Sequence, residues 1–192
     1  MLIRSLFTLG LAVLMATTAA AESTKVRMTT SEGAIEITLA DERAPKTVAN
    51  FLRYVEEGHY AGTIFHRTIS NFMIQGGGFD ADLNRKKPHS PVNNEADNGL
   101  KNQRGSIAMA RTSDPHSAQA QFFINVVDNA NLDFRAKTAR GWGYAVFGQV
   151  SGGMDVVDRI RNLPTAGQGR FQNLPTRTIV IEKIEIIQST GG

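Results

Sequence analysis

The segment FHRTISNFMIQGGG, residues 65–78, decides the reading of this chain. His66 and Arg67 sit inside TIFHRTI (63–69), a run that is otherwise mostly apolar. Phe72 and Met73 follow, then Gln75, then three glycines. Short apolar runs bounded by turn residues predict strands. On such a strand Arg67 lies between Phe65 and Ile69 at alternate positions, on the same face as both. An unpaired buried guanidinium is costly, so Arg67 must reach solvent or a partner. From the pattern alone, an ion pair at a sheet rim and a functional arginine are both open. The glycines 76–78 are not followed by a helix bearing a lysine, which argues against a phosphate loop.

Outward from this segment the punctuation is regular. KVRMT (25–29) and AIEITL (34–39) alternate apolar and polar residues, and SEG (31–33) between them predicts a hairpin in which Gly33 takes a positive φ. Pro45 opens a predicted helix. Its Val48, Phe51, Leu52 and Val55 form one apolar stripe, and Gly58 ends it. FMIQGG, GSIAMA, QFFINVV and YAVFGQV read as further strands of a meandering sheet or barrel. A second helix is predicted from about Gly153 to Arg161, with Ser151 as its cap and Pro164 as its stop. In TIVIEKIEII (178–187) the apolar alternation slips by one residue, which predicts a bulge near Glu182 and Lys183. Two long loops, 80–102 and 128–143, are of the size that usually carries function or motion.

The first 21 residues have another character. Arg4, then the apolar LFTLGLAVLMA (6–16), then Ala19 and Ala21 ahead of a cut, read as a secretory signal peptide. The apolar run is shorter than the roughly 20 residues a membrane span needs. The expected mature chain begins near Glu22, is periplasmic, and is free of the membrane. Removing Arg4, the only charged side chain of residues 1–21, lowers the formal charge from +3 to +2, too little to argue for nucleic acid. With no cysteine, disulfides and thiolate chemistry are excluded, and the exported chain must rely on its core.

No G-x-S-x-G elbow occurs, and no pair among His59, His66, His89 and His116 has helical metal-ligand spacing. The sequence therefore gives no ground for expecting a cofactor or metal.

FHRTISNFMIQGG, GSIAMA, AQFFINV and YAVFGQV, in this order and approximate spacing, resemble the cyclophilin-type peptidyl-prolyl cis-trans isomerases. The helix segment APKTVANFLRYVEEGHY is similar too, and the resemblance covers roughly residues 25–188. With the leader, the chain looks most like the periplasmic bacterial branch. The resemblance implies a mainly β fold: a closed eight-stranded antiparallel β-barrel capped by two α-helices, over residues 22–192. It implies a monomer that acts on proline-containing polypeptides, with Arg67 as the catalytic arginine. Phe72, Met73, Phe123 and Leu132 would line a proline pocket. Gln75 and Gln121, with the backbone around Ala110, Arg111 and Thr112, would hold the flanking peptide. Three positions depart from the commonest pattern: Asn131 where many members have Trp, Tyr144 where they have His, and Arg111 where they have Asn. The departures leave the reaction in place and predict weak cyclosporin binding.

Overall fold

The computed structural model describes residues 23–188, so the expected leader, its cleavage site and its mature N-terminus lie outside the described residues. Eight strands close a barrel: β1 (Lys25–Thr30), β2 (Gly33–Leu39), β3 (Thr63–Ile69), β4 (Met73–Asp80), β5 (Ser106–Met109), β6 (Phe122–Asn125), β7 (Val146–Gly152) and β10 (Val180–Gln188). Around the barrel they run β1, β10, β3, β4, β6, β5, β7, β2, every neighbouring pair antiparallel. The helices are α1 (Pro45–Glu56) and α2 (Met154–Arg161). Strands β8 (Thr165–Gln168) and β9 (Phe171–Pro175) form a separate hairpin that lies against β3.

The interior is packed solid. Val26, Met28, Ile35, Ile37, Phe65, Ile74, Ile107, Phe122, Ile124 and Phe147 are all fully buried in one cluster. Helix α1 adds Phe51, whose ring lies 5.2 Å from Phe147 and 6.0 Å from Phe122. Helix α2 adds Val156, Val157 and Ile160 to the same cluster. Both helices thus lay their apolar stripes on the barrel core, and no lumen is left for a ligand.

The predicted hairpin turn spans Ser31 and Glu32, and Gly33 pairs with Thr30 at φ 128°. The predicted bulge is present: Thr29 pairs with Lys183 and Thr30 with Ile181, so Glu182 is the extra residue. That shift keeps Ile181 and Ile184 in the core although they are three residues apart. Ser151 does not cap α2. It belongs to β7, and the N-cap is Gly153 in the left-handed conformation at φ 79°. Helix α1 has no cap of its own either. The carboxylate of Glu95, from the loop 80–102, accepts the Thr47 N–H at 2.8 Å, the Thr47 hydroxyl at 2.7 Å and the Lys46 N–H at 3.2 Å. A negative group at a helix N-terminus satisfies orphan donors and the dipole together. It also ties that loop to the barrel.

Candidate active site

The site lies on the outside of the barrel, because strands that are buried on both faces have a second set of side chains to place. On β6, Phe122 and Ile124 point into the core while Phe123 belongs to a smaller outer cluster. On β4, Ile74 is interior and Met73 exterior; on β5, Ile107 is interior and Ala108 exterior; on β7, Phe147 is interior and Val146 exterior. Met73, Ala108, Phe123 and Val146 make the floor of the outer cluster, and Ile69, Phe72, Leu100, Ala110, Leu132 and Tyr144 pack on it. The period of two along each strand divides the residues between the two cores.

Arg67 reaches this outer face through a defect in β3. Phe65 pairs with Gly76 and Arg67 with Gln75, so His66 is an inserted residue. The bulge changes the phase. Phe65 stays in the barrel core, while Arg67 is exposed and Ile69 packs on the outer cluster. A regular strand would have aimed Arg67 inward beside Phe65.

Nine predicted residues surround one cavity of about 220 Å³: Arg67, Phe72, Met73, Gln75, Ala110, Arg111, Phe123, Leu132 and Tyr144. The remaining two, Thr112 and Gln121, line an adjoining cavity. The first cavity is apolar below and polar at the rim. Met73 and Phe123 are 2% and 4% exposed, so its floor is rigid. The Tyr144 ring meets Phe123 edge-on at 5.6 Å, and the Arg111 guanidinium lies 4.6 Å over that ring. Arg111 is fixed in that stack by donating to the carbonyls of Gly143 at 2.8 Å and Thr112 at 2.9 Å. Asn131 is exposed on the short 3₁₀ turn Ala130–Leu132 and does not line the cavity.

A short relay orients Arg67. Its Nη1 donates to Gln75 Oε1 at 3.4 Å, and Gln75 Nε2 donates to Gln121 Oε1 at 2.9 Å. No carboxylate among the described residues forms an ion pair with Arg67. The glycine triplet explains itself here. Gly77 has φ 82°, and a Cβ on it would approach Tyr60 to 2.8 Å and Phe122 to 2.9 Å. A Cβ on Gly78 would lie 2.4 Å from Gln121 Cγ. The triplet therefore makes room for core rings on one side and for Gln121 on the other.

Sequence reasoning missed the buried asparagines that hold this wall. Asn129 Nδ2 donates to the Phe72 carbonyl at 2.8 Å and to Asn125 Oδ1 at 2.7 Å. Asn125 Nδ2 donates to Ser106 Oγ at 2.9 Å and Asn102 Oδ1 at 3.2 Å, and Asn102 Nδ2 donates to the Leu132 carbonyl at 3.1 Å. All three asparagines are buried, so the network fixes the backbone at both Phe72 and Leu132. One signal was visible: Asn125 interrupts the apolar run FFINVV. The loop 128–143 is ordered by Trp142, whose ring meets His116 at 4.9 Å and Phe134 at 5.5 Å. Its two ends are tied where Tyr144 N–H donates to the Leu132 carbonyl at 2.9 Å.

His66, the bulge residue, is neutral by environment. Burial lowers its pKa to about 4, the backbone of Ile64 works the other way, and the Arg67 and Arg170 charges add to the lowering. Its ring packs 4.7 Å from Phe79 and 6.0 Å from Phe171 of β9, and its Nδ1 has no hydrogen-bond partner. Among the described residues no group of three or more His, Cys, Asp or Glu could hold a metal.

The barrel thus has a filled interior, an apolar cavity on its outer face, and at the rim of that cavity an arginine with no ion pair among the described residues. The comparisons with known proteins give the family. The model for "Cyclophilin type peptidyl-prolyl cis-trans isomerase/CLD" matches residues 25–186. Peptidyl-prolyl cis-trans isomerase cyp18 of Streptomyces antibioticus is 57% identical over 84% of this chain and 98% of its own. Peptidyl-prolyl cis-trans isomerase A of Dickeya dadantii is 54% identical over 88% of each. A cyclophilin-type isomerase of Cryptosporidium parvum, 27% identical, superposes with a TM-score of 0.71 over 87% of this chain and 99% of that one. It has also been solved in the presence of the dipeptide Ala-Pro, at a TM-score of 0.70. The chain belongs to the cyclophilin-type peptidyl-prolyl cis-trans isomerases, and its activity is peptidyl-prolyl cis-trans isomerisation.

Proposed function

We propose that the chain accelerates Xaa-Pro rotation by non-covalent stabilisation of the twisted amide, with Arg67 as the hydrogen-bond donor. Resonance makes the peptide C–N bond partly double, and the barrier to rotation is about 20 kcal/mol. Halfway through rotation the resonance is lost and the proline nitrogen carries a localised lone pair. A guanidinium N–H aimed at that nitrogen binds the twisted state better than either planar state, which is differential binding. No bond to carbon forms and no proton is transferred. Lowering the barrier by about 7 kcal/mol would give about 10⁵-fold acceleration. In this reading Phe72, Met73, Phe123, Leu132 and Tyr144 grip the ring. Gln75, Gln121 and the segment Ala110, Arg111 and Thr112 hold the flanking chain.

The observation that carries the proposal is Arg67 itself. It stands at the rim of an apolar cavity large enough for a small ring, bonded only to the neutral Gln75 amide among the described residues. The test is cis-to-trans conversion of an Xaa-Pro tetrapeptide by wild type and Arg67→Ala. We expect a loss of about 10²-fold in the folded variant. Near-normal turnover would refute the mechanism.

The clients we propose are exported proteins, and the compartment is the periplasm. The support is the leader-like sequence of residues 1–21, with Arg4 ahead of its apolar run. N-terminal sequencing of exported material should return a start near Glu22. The same reading makes the protein a monomer that binds cyclosporin weakly, with Asn131 at the position where many members have Trp.

A further inference from the structure

The proline pocket leaves unexplained the cavity that adjoins it, about 170 Å³ in volume. The two share Gln75, Ala110 and Arg111 as a common wall. Beyond that wall the second cavity is lined by Arg85 and Lys86 as well, and by no Asp or Glu. Each of its three cations is held by neutral acceptors. Arg85 Nη2 donates to Gln119 Oε1 at 3.1 Å. Lys86 Nζ donates to the carbonyls of His59 at 2.5 Å and Ala61 at 3.1 Å. Arg111 donates to the carbonyls of Gly143 and Thr112. No carboxylate among the described residues is within ion-pair distance of any of the three. The charges are positioned and left uncompensated around one concavity, which concentrates a positive potential there.

Alternate side chains of an extended peptide project to the same side, about 7 Å apart. A peptide whose proline fills the first cavity, running along the common wall, delivers the side chain two residues away into the second. We propose that this second cavity selects an Asp or Glu two residues from the substrate proline, its carboxylate held by Arg85, Arg111 and Lys86. The inference rests on the isomerase site described above and names the substrates that site prefers. Arg85 is exposed, and exposed ion pairs are weak and salt-screened. The expected preference for Glu over Lys is therefore about fivefold at low salt.

The experiment measures kcat/KM for two series of pentapeptides with a central proline. One varies the residue two before the proline and the other the residue two after, each as Glu, Ala or Lys. One series should run Glu, Ala, Lys in falling order, and its spread should shrink at about 1 M salt, where the Debye length is about 3 Å. In that series Arg85→Gln should shrink the Glu-to-Lys ratio, and Arg85→Glu, which sets a carboxylate beside the remaining Lys86 and Arg111, should shrink it further. Ratios within each protein are read, so a general loss of activity in a variant does not blur the result. Equal turnover of Glu and Lys peptides in both series, or a ratio unmoved by Arg85→Glu, would overturn the inference and leave the isomerase site intact. Failure of wild type to turn over even the Ala peptides would overturn the site reading itself, and this inference with it.

Discussion

Acid should destabilise this fold through His66 in a way that one substitution removes. The residue is 5% exposed, wedged between Phe79 and Phe171, and its pKa lies at about 4 against an ordinary value of 6.5. The unfolded chain therefore takes up a proton at this position well before the folded chain does. Stability is full above pH 6.5 and falls as pH drops through the window from 6.5 to about 4. Each pH unit in that window costs about 1.4 kcal/mol. At pH 5 the loss from this group is about 2 kcal/mol, and below pH 4 it levels off at about 3 kcal/mol. His66→Phe keeps an aromatic ring beside Phe79 and Phe171 and sacrifices no bond at Nδ1, which has none. Urea unfolding of both proteins at pH 7.5 and pH 5 gives the four free energies needed. His59, lowered by burial first and by the Lys86 charge second, contributes in the same direction in both proteins and cancels in the comparison. Wild type should lose about 2 kcal/mol more than His66→Phe between the two conditions. Equal losses would mean that His66 is protonated or solvated in the folded state, and the account of the β3 bulge as a dry aromatic site would fail.

Three further outcomes are expected. Phe123→Ala, which empties the floor of the groove at a residue 4% exposed, should cost about 3 kcal/mol of stability as well as activity; an unchanged melting temperature would mean that the ring serves the groove alone. Asn129→Ala removes the donors to the Phe72 carbonyl and Asn125 Oδ1, so it should cost about 2 kcal/mol in chemical denaturation and raise KM more than it lowers kcat. Asn131→Trp should tighten cyclosporin about 10-fold in a direct titration while leaving peptide turnover nearly unchanged, because an aromatic face buried against a ligand is worth about 1 to 3 kcal/mol; equal dissociation constants would mean that position 131 does not reach the drug.

Much of the barrel was legible because it obeys local rules. The stripe of α1, the alternation of β1 and β2 and the left-handed Gly58 all follow from short-range sterics and burial, and so does the bulge at Glu182. What escaped depends on long-range contacts. Strands β8 and β9 carry little buried apolar alternation, β8 being exposed throughout, so no periodic signal marks them. The cap of α1 comes from Glu95, about 50 positions downstream, and no local motif could announce it. The helix-capping serine expected at 151 lost to strand pairing, since β7 runs on to Gly152 opposite Glu36. The site residues Arg67, Phe72, Met73, Gln75 and Phe123 were drawn together by family resemblance. Periodicity alone would have turned Arg67 into the barrel. The asparagine network was invisible because its members are scattered at 102, 125 and 129 and bond mainly to backbone carbonyls and to one another.

The neighbours of Arg67 show why this segment combines an arginine, a glutamine and a bare triplet of glycines. Gly78 leaves space that the Gln121 side chain fills; Gln121 accepts from Gln75; Gln75 accepts from Arg67. With its amide nitrogen committed to Gln121, Gln75 can present only its oxygen to the guanidinium. That contact uses one of the five N–H donors of the arginine and leaves four for a ligand. A carboxylate in place of Gln75 would hold Arg67 more firmly, because charge-assisted pairs are roughly twice as strong as neutral ones. It would also cancel the charge. In the mechanism proposed above, a donor that stabilises a lone pair present only at mid-rotation must be aimed beforehand and must keep its positive potential. A neutral amide, itself oriented from behind, meets both requirements. In this arrangement the glycine at 78 acts on the arginine at 67 through two glutamines and no charge.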